Sequence, residues 1–378
     1  MKNFAPPKRL QGIEKSVIRQ VFDRALPGSI NLGLGEPDLP TPDVIRRAAA
    51  KIILEEQNGY TQHAGLKTLR EKIAASYPYL EQNPDRVIVT AGSQEALYLA
   101  LLTLIDEGDE VLLPNPGFVA YPTIVRMARG TARFYRLPRE NGFAFDAEEF
   151  RRALSPRTKV VVCISPSNPT GRTLSHDDLI AIADAVREHG AYLISDEIYR
   201  ELFYTPERPD SASSFYESTI VISGLSKSMS MTGWRLGWVG GDEAAIKAML
   251  VLHGYVTTCA STVSQKASLV AWSDEAEAAR AGFRETFRAR RDHLLELFKS
   301  ELGLRAVTPE GAFYTMLDVS EFGPSMRVAE SLLEQRLITI PGAAFGSESE
   351  GFLRVSFCAD HETLAEGVKR IKRGLELS

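Results

Sequence analysis

The chain has 378 residues, 44% hydrophobic and 25% charged, which is ordinary for a globular protein and enough for two or three domains with a sizeable core. Its net charge of -5 offers no electrostatic case for binding nucleic acid or an anionic membrane. Cys163, Cys259 and Cys358 are an odd, widely spaced set, which argues against a disulfide framework and for a reducing, cytoplasmic compartment; their small or apolar neighbours predict buried structural thiols. The amino terminus carries basic residues without the apolar core of a secretory signal, and no apolar run approaches the ~20 residues of a membrane span. No His/Cys/carboxylate cluster has metal-ligand spacing, so no metal is expected.

In chain order, Arg86–Thr90 is predicted as a strand and Gln94–Leu104 as a helix, followed by strand Glu110–Leu113 and helix Tyr121–Arg129. Strand Lys159–Ile164, helix Asp177–His189, and strands Ala191–Ser195, Thr219–Ser223 and Arg235–Val239 follow. Continuous apolar runs alternating with helices imply an α/β fold, with a buried, mostly parallel sheet between two helical layers. Asp274–Lys299 reads as a long charged amphipathic helix linking to a smaller α+β region, with Leu304–Val307, Phe313–Leu317, Leu337–Ile340 and Phe352–Ser356 as strands and Val328–Arg336 as a helix. The basic cluster Arg284–Arg291, interleaved with Glu285 and Asp292, reads as the solvated face of that long helix.

In open parallel sheets, ligands sit beyond the carboxyl ends of the strands. Candidate groups fall there: Gly92 and Ser93 after one strand, Asn168 after a second, Asp196 after a third and Lys227 after a fourth. The turn Thr90-Ala-Gly-Ser-Gln94 opens a helix, where free backbone N–H groups bind an anion; an ordinary N-cap is the plainer use. Asn168, in Asn-Pro-Thr-Gly, is locally a turn. Asp196 and Glu197 are adjacent, and strand alternation lets only one of them face a ligand. Arg354 is a charge inside the apolar strand Phe352-Leu-Arg-Val-Ser, so either an internal carboxylate or a ligand must pair with it.

Taken together, Gly92-Ser93-Gln94, Ser165-Pro-Ser-Asn168-Pro-Thr-Gly171, Ser195-Asp196-Glu-Ile-Tyr199 and Ser223-Gly-Leu-Ser226-Lys227 through Gly233-Trp-Arg235 resemble the class I/II aminotransferases, pyridoxal-phosphate enzymes of fold type I. The likeness runs from about Asn31 to Arg354. It implies a large domain with a seven-stranded sheet, at 41–274, and a small α+β domain, at 275–378, joined by the segment 1–40. It implies pyridoxal 5'-phosphate as cofactor, with Lys227 as the Schiff-base lysine and proton shuttle. Asp196 would pair with the ring nitrogen, Tyr199 and Asn168 with the phenolic oxygen, and Phe118 would stack on the ring. Gly92, Ser93, Gln94, Ser226 and Arg235 would hold the phosphate, with Ser223 an alternative hydroxyl. Arg354 would clamp the substrate α-carboxylate, with Gly35, Phe118 and Asn168 beside it, and Gly311–Tyr314 and Pro341–Gly346 would line the mouth.

The implied activity is amino-group transfer between an L-amino acid and a 2-oxo acid by a ping-pong cycle. A carbon–sulfur or related lyase on the same fold is the alternative, and a non-catalytic regulator half is the other class weighed. Tyr60 matches a tyrosine that reaches the neighbouring subunit's phosphate, which implies a homodimer, with Gly254–Thr262 also at the interface. Some bacterial aspartate enzymes of this group read the distal carboxylate with a lysine where this chain has Gln94, which leaves the substrate side chain open.

Overall fold

The computed structural model describes Pro7 and residues 10–376; the basic residues Lys2, Lys8 and Arg9, on which the leader reading rests, lie outside them. Its strands are β1 Ile30–Asn31, β2 Val87–Thr90, β3 Glu110–Asn115, β4 Thr131–Arg136, β5 Thr158–Ile164 and β6 Tyr192–Asp196. There follow β7 Thr219–Gly224, β8 Gly237–Gly240, β9 Tyr314–Asp318, β10 Leu337–Ile338, β11 Ile340–Pro341 and β12 Phe352–Ser356. Seven of them form one sheet in the order β2-β8-β7-β6-β5-β3-β4. Its pairings are parallel except those of β8, which runs antiparallel to both β7 and β2.

Burial explains the sequence of the sheet. Strands β2, β7 and β8 are buried at every position, as strands covered on both faces must be, and apolar side chains supply that burial without unpaired polar groups. Helices Ser93–Leu104 and Glu243–Val256 belong to the apolar layer on one face, and helix His176–Glu188 to the layer on the other. The reversed β8 has a direct consequence for the site. Its first residue, Gly237, lies opposite Thr90, the last residue of β2, so the turn leading into β8 sits at the same edge as the ends of its parallel neighbours.

A second sheet, β11-β12-β9, is antiparallel, and the short β1 pairs with β10 in parallel. Residues 30–31 are thereby tied to a strand some three hundred residues later. The long helix Asp274–Leu297 ends in a π-helical turn, Phe298–Leu302.

The structure corrects several expectations. Strand β4 was not foreseen: TARFYR is an edge strand with one fully buried position, so its pattern carries little apolar signal. Residues 304–307 do not form a strand; only Ala306 bridges to Leu317. The single strand expected at Leu337–Ile340 is two short ones in different sheets, and the strand expected from Arg235 begins at Gly237. Helix His361–Glu376 had gone unassigned.

The basic cluster on the long helix is not a solvated face. Arg290 is buried against Asp38 through two hydrogen bonds of 2.6 and 2.9 Å, Arg291 donates to the Pro309 carbonyl, and Arg284 lies over Phe203. Among the cysteines only Cys163 is buried; Cys259 and Cys358 are partly exposed.

Candidate active site

A cavity of about 270 Å³ opens at the carboxyl edge of the large sheet. Its lining gathers residues far apart in sequence: Gly35, Ser93, Gln94, Phe118, Asn168, Asp196, Tyr199, Ser226, Lys227, Arg235 and Arg354. Gly92 lies immediately behind it as the N-cap of helix Ser93–Leu104. Each follows, or in Arg235's case precedes, a strand that ends at this edge, or comes from β12 and the segment after β1.

Lys227 lies in the turn after β7, and its Nζ donates to the Gly35 carbonyl at 2.6 Å. Burial drives its pKa down to about 8, so a substantial fraction of the amine is neutral near physiological pH. The Phe313 ring, 6.0 Å from Nζ, contributes to that apolar setting. Gly35 must be glycine here, because a Cβ at this position would run into the Tyr314 hydroxyl.

Asp196 ends β6 with its side chain in the cavity. Tyr121 donates to Oδ2 at 2.9 Å and the Ile198 amide to Oδ1 at 3.2 Å, and among the described residues it forms no ion pair. Burial pushes its carboxyl up to about 6. Glu197 faces the other way, accepting from Ser195 at 3.0 Å and Ser211 at 2.7 Å, with Arg200 at 3.6 Å. The alternation of the strand thus separates the two carboxylates by side, one to the cavity and one to the packing behind the sheet.

Arg354 is buried in β12. One nitrogen donates to Asn168 Oδ1 at 2.8 Å and another to the Gly33 carbonyl, while Nε finds no partner. Tyr314 and Phe345 stack on the guanidinium, at 4.4 and 4.8 Å from their ring centres. The groups acting on its charge include tyrosines and Cys358 but no carboxylate, and burial holds its pKa below the usual arginine value. Tyr199 shares a 2.9 Å hydroxyl contact with Tyr314, and burial raises its pKa.

A candidate anion site lies where helix Ser93–Leu104 starts. Gly92 caps it with no side-chain acceptor, at φ 91°, leaving the first amides unfilled. A Cβ on Gly92 would collide with the Arg235 guanidinium, so the glycine sets how close that arginine comes. Arg235 is held by the Thr232 carbonyl at 2.9 Å, which orients its fork at the same edge. Ser226 lines the cavity, whereas Ser223 points behind the sheet and donates to the Glu197 carbonyl at 3.1 Å. Phe118 meets Tyr121 edge-on, with centroids 5.5 Å apart.

Tyr60 is not in the cavity. It is 88% exposed, in a shallow surface depression shared with Asn58, Gly59 and residues 259–263. Of the two segments expected at the mouth, Tyr314 lines the cavity and Phe345 backs Arg354.

Several contributors were missed from sequence. Tyr121 grips Asp196, and Ile18, Leu34 and Thr232 join the lining; Tyr314, expected at the mouth, also joins Tyr199 to Arg354. Glu95 accepts from the Ala91 amide at 2.5 Å, His253 at 2.9 Å and Thr257 at 2.6 Å, bracing the anion-binding turn. Only Glu95 left a local signal, as an acidic residue in the first turn of a helix.

Comparison with known proteins agrees with this geometry. The sequence profile described as aminotransferase class I and II matches residues 27–371. The aspartate/prephenate aminotransferase of Thermus thermophilus is 37% identical, covering 97% of this chain and 98% of its own. An aspartate aminotransferase of Pyrococcus horikoshii is 36% identical, with coverages of 98% and 97%. The structure of Thermus thermophilus aspartate aminotransferase with maleate superposes with a TM-score of 0.92 at 35% identity, over 98% of this chain and 100% of that one. The chain belongs to the class I and II aminotransferases, with their fold, and it is a transaminase that moves an amino group between an amino acid and an oxo acid. The lyase alternative finds no support among these relatives. Among the described residues no helix is long and apolar enough to cross a membrane, and no His/Cys/Asp/Glu group could hold a metal ion.

Proposed function

We propose that the cavity holds pyridoxal 5'-phosphate and that Lys227, Asp196, Tyr199, Asn168, Arg235 and Arg354 run a ping-pong transamination. The observation that carries this reading is the coincidence, in one cavity, of a part-buried amine, a buried carboxylate and a buried arginine, none of which forms an ion pair among the described residues. The residues fit the cofactor. A ring nitrogen would give Asp196 its missing counter-charge, and the unfilled amides near Ser93 with Ser226 and Arg235 would take a phosphate. Bound there, the cofactor supplies an aldehyde that exchanges amines and a ring that accepts the electron pair left at the substrate Cα.

The chain's own residues do the rest. Lys227, with its lowered pKa, would hold the cofactor's aldehyde carbon and, once displaced by the substrate amine, would take or return the Cα proton. Asp196 in its ionised form would hold the ring nitrogen protonated, and Tyr121 fixes the orientation of its carboxylate. Tyr199 and Asn168 donate to the phenolic oxygen, and Phe118 packs against the ring. Arg354 binds the substrate α-carboxylate, oriented by Asn168 and by the two aromatic rings on its faces.

The proposal includes a homodimer in which Tyr60 reaches the neighbouring phosphate. Its support is a set of large side chains left exposed together with Tyr60: Ile53, Leu54, Val251, Tyr255 and Val256. A monomer by light scattering at working concentration, with full activity, would refute this part. It also includes the division at residues 40 and 274, supported by the pairing of β1 with β10, and cytoplasmic residence, supported by three unpaired cysteines.

The test is chemical. Borohydride reduction of the cofactor-loaded enzyme should fix the label to Lys227, as read by peptide mapping. A label on another lysine would remove the assignment.

A further inference from the structure

Lys227, Arg235 and Arg354 are the lysine and arginine side chains lining the cavity. On the reading above, on which this inference rests, they serve the aldehyde, the phosphate and the substrate α-carboxylate. Among the described residues none remains in the lining for a second carboxylate on the substrate.

The rest of the open side is uncharged. It consists of Ile18, from helix Val17–Asp23, Leu34, the Gln94 amide and Thr232. The Thr232 hydroxyl is already engaged with Glu36, whose own charge is of the wrong sign for a distal carboxylate. The cations next to Ile18, Lys15 and Arg19, both point to Asp23, at 2.8 and 3.5 Å, in exposed pairs outside the lining. The segments that a two-fold pairing would bring to the neighbouring site, 58–62 and 254–262, contain no Lys or Arg. A carboxylate desolvated here would have no counter-charge, whereas an apolar side chain would cover Leu34, a large hydrophobic that is otherwise 38% exposed.

We propose that this enzyme takes amino acids and 2-oxo acids with uncharged, apolar side chains, with Ile18 and Leu34 forming the wall that reads them, and that it discriminates against dicarboxylic substrates. Sites that lack a partner for a buried charged group reject it by large factors, while apolar fit alone gives modest ones. Selection against aspartate should therefore be steep, and selection among leucine, methionine and phenylalanine shallow.

The experiment mixes cofactor-loaded enzyme with single amino acids and follows the absorbance change of the half-reaction. Leucine and phenylalanine should exceed aspartate by at least about tenfold in rate over dissociation constant. Leu34→Arg, at an exposed position, should raise aspartate and lower leucine by about tenfold each, while Leu34→Ala should lower the leucine-to-aspartate ratio by weakening leucine the more. Aspartate matching leucine in the wild type, or a leucine-to-aspartate ratio untouched by Leu34→Arg, would overturn the inference while transamination stands. Silence toward every amino acid, together with an unlabelled Lys227 after borohydride, would instead bring down the reading beneath it.

Discussion

The cavity and the packing behind the sheet use the same residue types to opposite ends. Outside the cavity lining, Arg290 is closed by Asp38 with two hydrogen bonds, and behind the sheet Glu197 accepts from Ser195 and Ser211 with Arg200 beside it. In the cavity, Arg354 meets an amide, a carbonyl and two aromatic faces, Asp196 meets a tyrosine, and Lys227 meets a carbonyl. Burying a charge without a counter-charge is costly, so a fold tolerates it only where something else supplies the partner. Unmatched charge, rather than charge as such, distinguishes the reacting edge of this molecule from its scaffold.

The comparison is sharpest between Asp196 and Glu197, neighbours on one strand. Asp196→Asn should lower turnover by roughly 10²–10⁴-fold, the range for losing a positioned proton-handling group, with cofactor still bound. Glu197→Gln should leave the chemistry near wild type and cost a few kcal/mol of stability, because it strands Arg200. The reverse pattern would exchange their roles.

Asp196 also carries a pH signature of its own. In the cofactor-free protein Asp196 keeps its proton up to about pH 6, against an ordinary carboxyl value of 3.8. The native state therefore holds more protons than the unfolded chain between those values, and this group's contribution to stability falls as pH rises through them. Cofactor-free Asp196→Asn escapes that loss. It should melt above wild type at pH 7.5, with the gap closing near pH 4, as read by thermal denaturation.

Two of the buried arginines, Arg354 and Arg290, give a smaller contrast. Arg354→Lys should reduce kcat/KM about 10- to 100-fold for substrates bearing an α-carboxylate, since a point ammonium cannot reproduce the planar fork, and should spare amines that lack the carboxylate. Arg290→Lys should lower the melting temperature and leave kcat/KM close to wild type. Equal losses for both substrate kinds in Arg354→Lys would make that arginine structural.

The large sheet was legible because its buried strands are continuous apolar runs, and their ends carried the polar groups now found in one cavity. Alternation alone showed that Asp196 and Glu197 must part company; which one faces the cavity came from the resemblance and is the side the structure gives. What was illegible depended on distant partners. Nothing local distinguishes Arg290 from a solvated arginine, because its partner Asp38 lies 252 residues away. Tyr121 reads as a core aromatic until β6 brings Asp196 to it, and Ile18 and Leu34 reach the cavity from elements separated in sequence from the large sheet. Strand β4 was hidden because an edge strand needs few apolar residues.

The most direct test of the account is a single-donor burst. Cofactor-loaded enzyme given one amino acid and no acceptor should release oxo acid once, one molecule per bound cofactor, retain the nitrogen, and resume only when a 2-oxo acid is added. Continuous turnover without an acceptor, with ammonia released, would contradict amino-group transfer.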